Sequence, residues 1–296
     1  MGVGVEPSRG LRTGLATVLL FGLTVVLQGS LVHQGIAPFA AVGVRYLLAG
    51  LVCLAVVGVS GRSPLPVRGE FRAAVLLGAF VYGLQAVLFY AALGHGTVAS
   101  VSLLFYTYPV LVLVASLALR QVAWSRVAGG SALLSATGAA VVVAAGRQVT
   151  IDAGGVAMAL GSAACVTVFL MANGRLIPRT PALVSAAWVS FGAALSTLGA
   201  AVLRGELSVF PLQAWLALAA AGAATGLGTA GMYRTLSVLG PAPTSVLLSL
   251  QTVVAIGGSS WLLGQPFLWG QAAGGAAIVA AIALAARGRL HGRSGS

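Results

Sequence analysis

The sequence predicts an all-α integral membrane protein of ten transmembrane helices, arranged as two inverted five-helix repeats. Three observations predict it: the composition, ten apolar runs of helical length, and an internal repeat. Of the 296 residues, 59% are hydrophobic and only 7% are charged, whereas soluble proteins carry about 25% charged residues. A soluble protein of this size cannot bury so much apolar surface, so the surrounding solvent is lipid.

Each predicted helix is an apolar run of about 20 residues, the length that crosses a hydrocarbon core of about 30 Å. The ten runs lie near residues 13–33, 38–60, 71–93, 97–119, 127–146, 153–174, 181–203, 212–236, 241–263 and 268–286. The first run is too long for the apolar region of a signal peptide, so we interpret it as a transmembrane helix. Residues 1–12 and 287–296 remain as tails.

The charge of the chain is strongly positive, with a formal value of +12, and all sixteen basic residues are arginine. Most of them lie in short connectors, which indicates membrane topology and not a phosphate-binding face. With a cytoplasmic N-terminus, twelve arginines fall in cytoplasmic segments and two, Arg147 and Arg204, fall outside. We therefore expect both tails in the cytoplasm, the lipid bilayer as a partner, and no nucleic acid.

The two halves of the chain repeat each other. A shift of 143 residues lays "GLQAVLFYAAL" (83–93) on "GLGTAGMYRTL" (226–236) and pairs Ser102 with Ser245. Because each repeat holds an odd number of spans, the second copy enters the membrane from the opposite side. Many secondary transporters are built in this way, with the substrate site near mid-membrane between the halves.

These repeats define the predicted domains, residues 13–146 and 153–286. The fourth run of the first repeat contains "LLFYTYPVLVLVA" (103–115), which places a proline at the centre of an apolar helix. Such a proline removes a backbone donor and costs roughly 3 kcal/mol in an ordinary helix. Freed carbonyls are tolerated in a membrane where they line water or protein, so the break indicates a polar path.

Polar side chains around this break form the first part of the candidate substrate-binding set. They share one helical face, and the repeat places a matching stripe on the ninth run. The two stripes are Ser102, Tyr106 and Pro109 on the fourth run and Ser245, Ser249 and Thr252 on the ninth. We interpret them as cavity lining, although hydroxyls that bind backbone carbonyls are an open alternative.

Four further polar residues inside apolar runs complete the candidate set: Gln28, Arg45, Tyr82 and Gln85. Amides in membranes often join helices, so each amide alone is ambiguous. An arginine at mid-membrane costs roughly 2.5–3.5 kcal/mol. Arg45 could bind an anionic group on the transport path, or its guanidinium could bind helix-end carbonyls.

The few acidic residues are informative. Glu6, Glu70, Asp152 and Glu206 all fall in tails or connectors, so no span offers the carboxylate on which proton relays and sodium sites rely. His33 could titrate near pH 6.5, or it could be a structural residue at the interface. We expect no metal site, no cofactor and no catalytic residue.

The ten spans, the duplication, "QGS" (28–30) and "VRYLLAG" (44–50) resemble the EamA-type members of the drug/metabolite transporter superfamily. The resemblance implies a multi-pass carrier of the bacterial plasma (inner) membrane, usually an exporter of amino acids, related metabolites or toxic amphiphiles by alternating access. The family's Glu-Pro pair of the fourth and ninth spans is Tyr108-Pro109 and Gln251-Thr252 here. This departure argues against coupling through a carboxylate.

Other functions fit the residues less well. A membrane enzyme needs an acid/base pair, a metal site or an activated nucleophile, and no such motif occurs, so we expect no enzyme. A channel would need charged rings or a carbonyl filter. A lipid or lipid-linked flippase on the same fold stays open as the alternative. A small-molecule substrate is the expected partner, and a homodimer is compatible with the sequence.

Overall fold

The structure is a computed structural model that describes residues 7–96, 98–121, 125–144, 151–207, 210–263 and 269–292. These residues form α-helices and one π-helical segment. The first half holds α1 (Pro7–His33), α2 (Pro38–Val59), α3 (Glu70–Leu77), the π-helical segment (Gly78–Gly83), α4 (Leu84–Ala92), α5 (Val98–Phe105), α6 (Tyr108–Ala118) and α7 (Arg126–Ala144). The second half holds α8 (Ala153–Leu176), α9 (Ala182–Leu203), α10 (Leu212–Leu239), α11 (Pro241–Leu248), α12 (Gln251–Leu263) and α13 (Trp269–Gly292).

The prediction of an all-α membrane fold is confirmed within the described residues. Each of the ten apolar runs coincides with a continuous or broken helix. By length and composition, seven of them could cross a membrane: Arg9–Leu31, Pro38–Val59, Glu70–Ala92, Ser100–Ala118, Ala153–Asn173, Ala182–Leu203 and Leu212–Leu239. The other three predicted spans correspond to α7, the broken helix α11–α12, and α13.

The helices pack in pairs that join the two halves of the chain. α2 packs along α9, α7 along α13, α1 along α10, and α4 along α8. In addition, α1 contacts α12 and α6 contacts α8. The largest core cluster lies between the halves and contains the buried rings of Tyr46, Tyr82, Tyr108, Phe169 and Tyr233.

Glycine allows the closest of these approaches. A Cβ on Gly78 would overlap the carbonyl oxygen of Val189, and a Cβ on Gly192 would overlap that of Val75. Helices of membrane proteins approach closely through small residues of this kind. The π-helical segment therefore lies directly against the backbone of α9.

Two carboxylates, one buried and one half-buried, form hydrogen bonds between the two halves of the chain. Glu70 accepts hydrogen bonds from the backbone N–H groups of Arg179 (3.2 Å) and Thr180 (2.9 Å), just before α9 begins. Glu206 accepts one from the N–H of Phe39 (3.2 Å), in the first turn of α2. Carboxylates are favourable near helix N-termini, where free N–H groups point outward.

Large apolar side chains cover the outer surface of the helices. Leu203, Leu212, Trp261 and Trp269 are 90%, 78%, 84% and 91% exposed. A soluble protein rarely exposes so many large apolar residues, whereas lipid solvates them. Tryptophan is enriched at membrane–water interfaces. Trp261 lies near the C-terminal end of α12, and Trp269 is the first residue of α13.

Candidate functional site

The predicted break in the fourth apolar run is confirmed. α5 ends at Phe105, α6 begins at Tyr108, and Tyr106 and Thr107 lie between the two helices. Pro109 occupies the first turn of α6, where the missing N–H of a proline has no helical partner to lose. The Thr107 hydroxyl donates to the carbonyl of Leu104 at 2.7 Å, so it satisfies one of the carbonyls freed at the end of α5.

A second break lies at the equivalent place in the other half, although no proline is present there. α11 ends at Leu248 and α12 begins at Gln251, which is the same break shifted by 143 residues. The hydroxyls of Ser245 and Ser249 each donate to the carbonyl three residues earlier, Ala242 and Val246, both at 2.6 Å. Such bonds compete with helical hydrogen bonds and support a turn at this point.

The two broken helices contact each other. The Tyr108 hydroxyl donates to the carbonyl oxygen of Ser245 at 3.2 Å, across the contact between α6 and α11. Within the second break, the hydroxyl of Ser249 lies 2.5 Å from that of Ser135 in α7. Side-chain hydrogen bonds therefore hold both breaks against neighbouring helices.

A cavity of about 140 Å³ lies beside these breaks and is lined by residues from both halves of the chain. Its lining combines seven polar residues with seven apolar ones, three of which are phenylalanines. The polar lining residues are Thr24, Arg45, Tyr82, Gln85, Tyr108, Thr225 and Gln251. The apolar lining residues are Phe21, Val25, Phe105, Val166, Phe169, Met232 and Leu248. Ligand sites are concave and mostly apolar, with a few placed polar groups, and this cavity has that character.

Three pairs of lining residues are equivalent under the internal repeat. Tyr82 pairs with Thr225, Phe105 with Leu248, and Tyr108 with Gln251, each separated by 143 positions. Two equivalent residues can line the same cavity only if the cavity lies close to the axis that relates the two repeats.

Tyr82 is positioned by the π-helical segment. Its ring stacks on Phe169 with centroids 4.7 Å apart, and it lies 5.3 Å from the ring of Tyr46. The π turn widens the helix by one residue at this point, and such turns occur often at functional sites. The neighbouring Gln85 makes two hydrogen bonds with Ser162. Its side-chain Nε2 donates to the Ser162 hydroxyl at 3.1 Å, and that hydroxyl donates to the backbone carbonyl oxygen of Gln85 at 2.9 Å.

Among the described residues that line the cavity, Arg45 is the only charged one. It is 9% exposed, and its Cζ lies 4.8 Å from the centroid of the Tyr46 ring. Its buried Nε has no hydrogen-bond partner in the described part of the chain. One donor of the guanidinium group is therefore unpaired in a residue that lines the cavity.

Of the ten residues predicted for the site, Arg45, Tyr82 and Gln85 line this cavity. The other seven are not among its lining residues. Gln28, Ser102, Ser245, Ser249 and Thr252 are buried in helix contacts, with at most 9% exposure. Pro109 is also buried, and Tyr106 is half-buried with its ring 6.3 Å from that of Tyr108. The side chain of His33 lies outside the described side chains.

Sequence reasoning did not include Tyr108 and Gln251, which line the cavity, in the candidate set. The signal was present, because these two residues replace the family's acidic positions and are equivalent under the 143-residue shift. Thr24 and Thr225, whose hydroxyls lie 3.4 Å apart, were missed as well, since threonine is common in membrane helices and carries no distinct pattern.

A comparison with models of protein families shows to which family this chain belongs. Residues 8–144 and residues 153–287 each match the model described as the EamA-like transporter family. The chain belongs to the EamA-like transporter family. The members of this family are membrane transporters, so transport is the general activity of this chain.

Solved structures share the fold of this EamA-like transporter. One crystal structure, whose title reads only "Crystal structure of protein", superposes with a TM-score of 0.78 over 95% of this chain and 98% of its own. The two sequences are 20% identical, so this likeness concerns the fold alone. A comparison with curated proteins gives no match.

Proposed function

We propose that this EamA-like transporter is a secondary carrier that exports a small metabolite from the cytoplasm by alternating access. The substrate binds in the cavity between the halves, with Arg45, Tyr82 and Gln85 as polar contacts. The observation that carries the proposal is the lining of the cavity by three repeat-equivalent pairs, Tyr82/Thr225, Phe105/Leu248 and Tyr108/Gln251. A site placed between two inverted repeats is the arrangement on which alternating access depends.

Ten spans and an inverted repeat are part of this proposal. Under the shift of 143 residues, α1 corresponds to α8, α3–α4 to α10, and α6 to α12. The contact of α1 with α10 then corresponds to that of α8 with α4, and the contact of α1 with α12 to that of α8 with α6. Each of these contacts is present, as a pseudo-two-fold relation between the halves requires.

The topology follows from the arginines. Both termini face the cytoplasm of a bacterial inner membrane, because twelve of the arginines then lie on that side and positively charged connectors favour it. Reporter fusions at positions 65, 123 and 290 are expected to report the cytoplasm, and fusions near 150 and 207 the outside. A periplasmic signal at position 290 would contradict the ten-span arrangement.

The size of the cavity favours a small solute over a lipid. A volume of about 140 Å³ accommodates a metabolite the size of an amino acid, whereas the acyl chains of a lipid would require a lateral opening. The broken helices α5–α6 and α11–α12 border the cavity, and side-chain hydrogen bonds link them to neighbouring helices. Short helices joined by two-residue breaks can tilt independently, and we propose that they form the moving gates.

The proposal is tested by transport in proteoliposomes. Purified protein is reconstituted into vesicles, and the flux of labelled amino acids, related organic acids and amphiphilic cations is compared with that of protein-free vesicles. We expect saturable flux of at least one class, together with faster exchange when unlabelled substrate is present on the opposite side. A Gln251→Ala variant should lower the flux, and an Ala163→Ser variant, altered at a buried position that does not line the cavity, should not. Flux without saturation or exchange would contradict a carrier.

Energy coupling is expected to need no ion. The acidic residues that the structure describes, Glu70, Asp152 and Glu206, lie at helix ends or in connectors. The proposed carrier therefore follows the gradient of its substrate, and a pH step or a sodium gradient should change initial rates less than about twofold, because ion-coupled carriers rely on membrane carboxylates. Uptake driven by a proton gradient and abolished by His33→Gln would contradict this expectation.

A further inference from the structure

The cavity contains a positive charge that no described group neutralises. The described carboxylates are engaged elsewhere: Asp152 contacts His95 at 3.0 Å, Glu206 contacts Arg204 at 2.9 Å, and Glu70 binds the backbone before α9. None of them lines the cavity. Arg45 thus lies in the membrane interior of the proposed carrier, nine-tenths buried, without a counter-ion from the described protein.

The contacts of Arg45 offset only part of the cost of burying it. A guanidinium held near an aromatic ring gains a modest cation–π attraction, which here comes from Tyr46 at 4.8 Å. The planar guanidinium carries five N–H donors, arranged in a fork that matches a carboxylate. Its Nε donor is buried and has no acceptor among the described residues, and Arg45 lines the cavity, where an anion could accept from the guanidinium.

The internal repeat does not account for Arg45. Its equivalent in the second half is Trp188, whose indole N–H donates to the carbonyl of Pro64 at 2.8 Å, away from the cavity lining. Pairs such as Tyr82/Thr225 occupy cavity positions in both repeats, so the duplication of the fold accounts for their location. A buried charge on one side only, at the cavity, indicates a role in recognising the ligand.

From these observations we infer that the solute carried by this protein is a small organic anion, whose carboxylate binds Arg45 while its apolar body packs against Phe21, Phe105 and Phe169. The inference rests on the proposed carrier function and names its substrate class. A zwitterion fits less well, because none of the acidic side chains that the structure describes lines the cavity to receive an ammonium group. The volume of about 140 Å³ suits an anion of about the size of an amino acid.

A net negative charge also supplies a driving force. Each turnover carries one negative charge outward, and the unloaded carrier then returns to its starting state. A cytoplasm that is negative by 100 mV favours this movement by about 50-fold per charge. Export of an anion therefore needs neither a proton nor a sodium ion, which agrees with the location of the described carboxylates outside the cavity.

Binding is tested first, in detergent, with three probes of one carbon skeleton: 2-oxo-4-methylpentanoate (anion), leucine (zwitterion) and leucinamide (cation). Ligand binding raises the unfolding temperature of the purified full-length protein. We expect the anion to give the largest rise, Arg45→Gln to weaken its binding at least tenfold, and Arg45→Lys to retain part of it. Arg234→Gln, at an exposed arginine of α10, is the matched control and should behave as wild type. An anion that gives no rise, or the same rise with Arg45→Gln, would overturn the inference.

Transport then separates this inference from the proposed function. In proteoliposomes with a potassium diffusion potential, efflux of 2-oxo-4-methylpentanoate should exceed that of leucine about tenfold. It should also rise several-fold when the vesicle interior is made negative. Equal transport of leucine or leucinamide would leave the carrier intact and refute the charge preference. Binding of the anion that depends on Arg45, with no probe crossing faster than in protein-free vesicles, would refute the carrier and leave the anion site standing.

Discussion

The hydroxyl of Tyr108 lies 3.2 Å from the carbonyl oxygen of Ser245 and joins the two broken helices of the protein. Tyr108 is the first residue of α6, and Ser245 belongs to α11. Tyr108 is also 2% exposed and contributes to the cavity wall. One hydrogen bond therefore links a residue of the cavity wall, at the break in the first half, to the helix that precedes the break in the second half.

Removing this hydroxyl should weaken the contact between the broken helices. We expect Tyr108→Phe to lower the free energy of unfolding by about 1 kcal/mol, as for other hydrogen bonds between membrane helices, and to change the transport rate. Stability is measured by thermal unfolding in detergent. Tyr233→Phe is the matched control, because the hydroxyl of Tyr233 is buried without a hydrogen-bond partner among the described residues. If both variants behave alike, the Tyr108–Ser245 bond has no separate role.

The contact between the π-helical segment and α9 should tolerate no added methyl group. At Gly192 a Cβ would overlap the carbonyl oxygen of Val75 at the end of α3 and the backbone nitrogen of Ala79 in the π-helical segment, so we expect Gly192→Ala to cost about 1–3 kcal/mol, the usual cost of overpacking. It should also displace Tyr82 and reduce substrate affinity. Gly199→Ala lies in the same helix with no neighbouring atom within 4 Å of the added Cβ and should cost nothing. Equal changes of stability in the two variants would show that the overlap at Gly192 carries no cost, because the gain in helix propensity from glycine to alanine is the same at both positions.

Asp152 should give the helix after it a pH-dependent stability. Its side chain accepts a hydrogen bond from the N–H of Gly155 at 2.8 Å and contacts His95 at 3.0 Å. The Gly155 bond and, next, the His95 contact lower the pKa of this carboxyl below its ordinary value of 3.8. The stabilisation from the ionised carboxylate is therefore complete above pH 3.8, the pKa of the unfolded state. It is lost as the pH falls through the lower pKa of the folded state.

The measurement compares wild type with Asp152→Ala and Asp152→Asn by thermal unfolding at neutral pH and at about pH 3, below the usual carboxyl range. We expect Asp152→Ala to unfold at a lower temperature at pH 7, and the difference from wild type to shrink in acid. Asp152→Asn should lose less, because asparagine also caps helices. A difference that stays constant with pH would contradict a role for the charged carboxylate.

Much of the fold could be predicted from the sequence because each helix is an uninterrupted apolar run between polar connectors. The second run was predicted over 38–60 and is α2, Pro38–Val59. The break at Pro109 could be predicted as well, since proline cannot continue a helix. The break after Leu248 could not, because it depends on serine hydroxyls that bind nearby carbonyls, and a continuous helix tolerates the same bonds.

The cavity could be predicted only in part for a related reason. Helical spacing through an unbroken fourth span puts Tyr106 on the cavity face, but the two residues between α5 and α6 change the register. Tyr108 consequently lines the cavity, and Tyr106 lies beside it. The hydroxyls of Ser245 and Ser249 bind within the scaffold, a choice that no sequence pattern specifies. Arg45 could be predicted because a charge inside an apolar run has few explanations.

Alternating access of the cavity is measured most directly by the reactivity of a cysteine at position 251. Both native cysteines, Cys53 and Cys165, are free and are replaced by alanine, and Gln251→Cys is then labelled with a membrane-impermeant thiol reagent from either side of oriented vesicles. We expect reaction from both sides, with transported solute raising one rate and lowering the other. Ala163→Cys, fully buried and away from the cavity lining, should react from neither side. Reaction at position 251 from one side only, whether or not solute is present, would contradict the account.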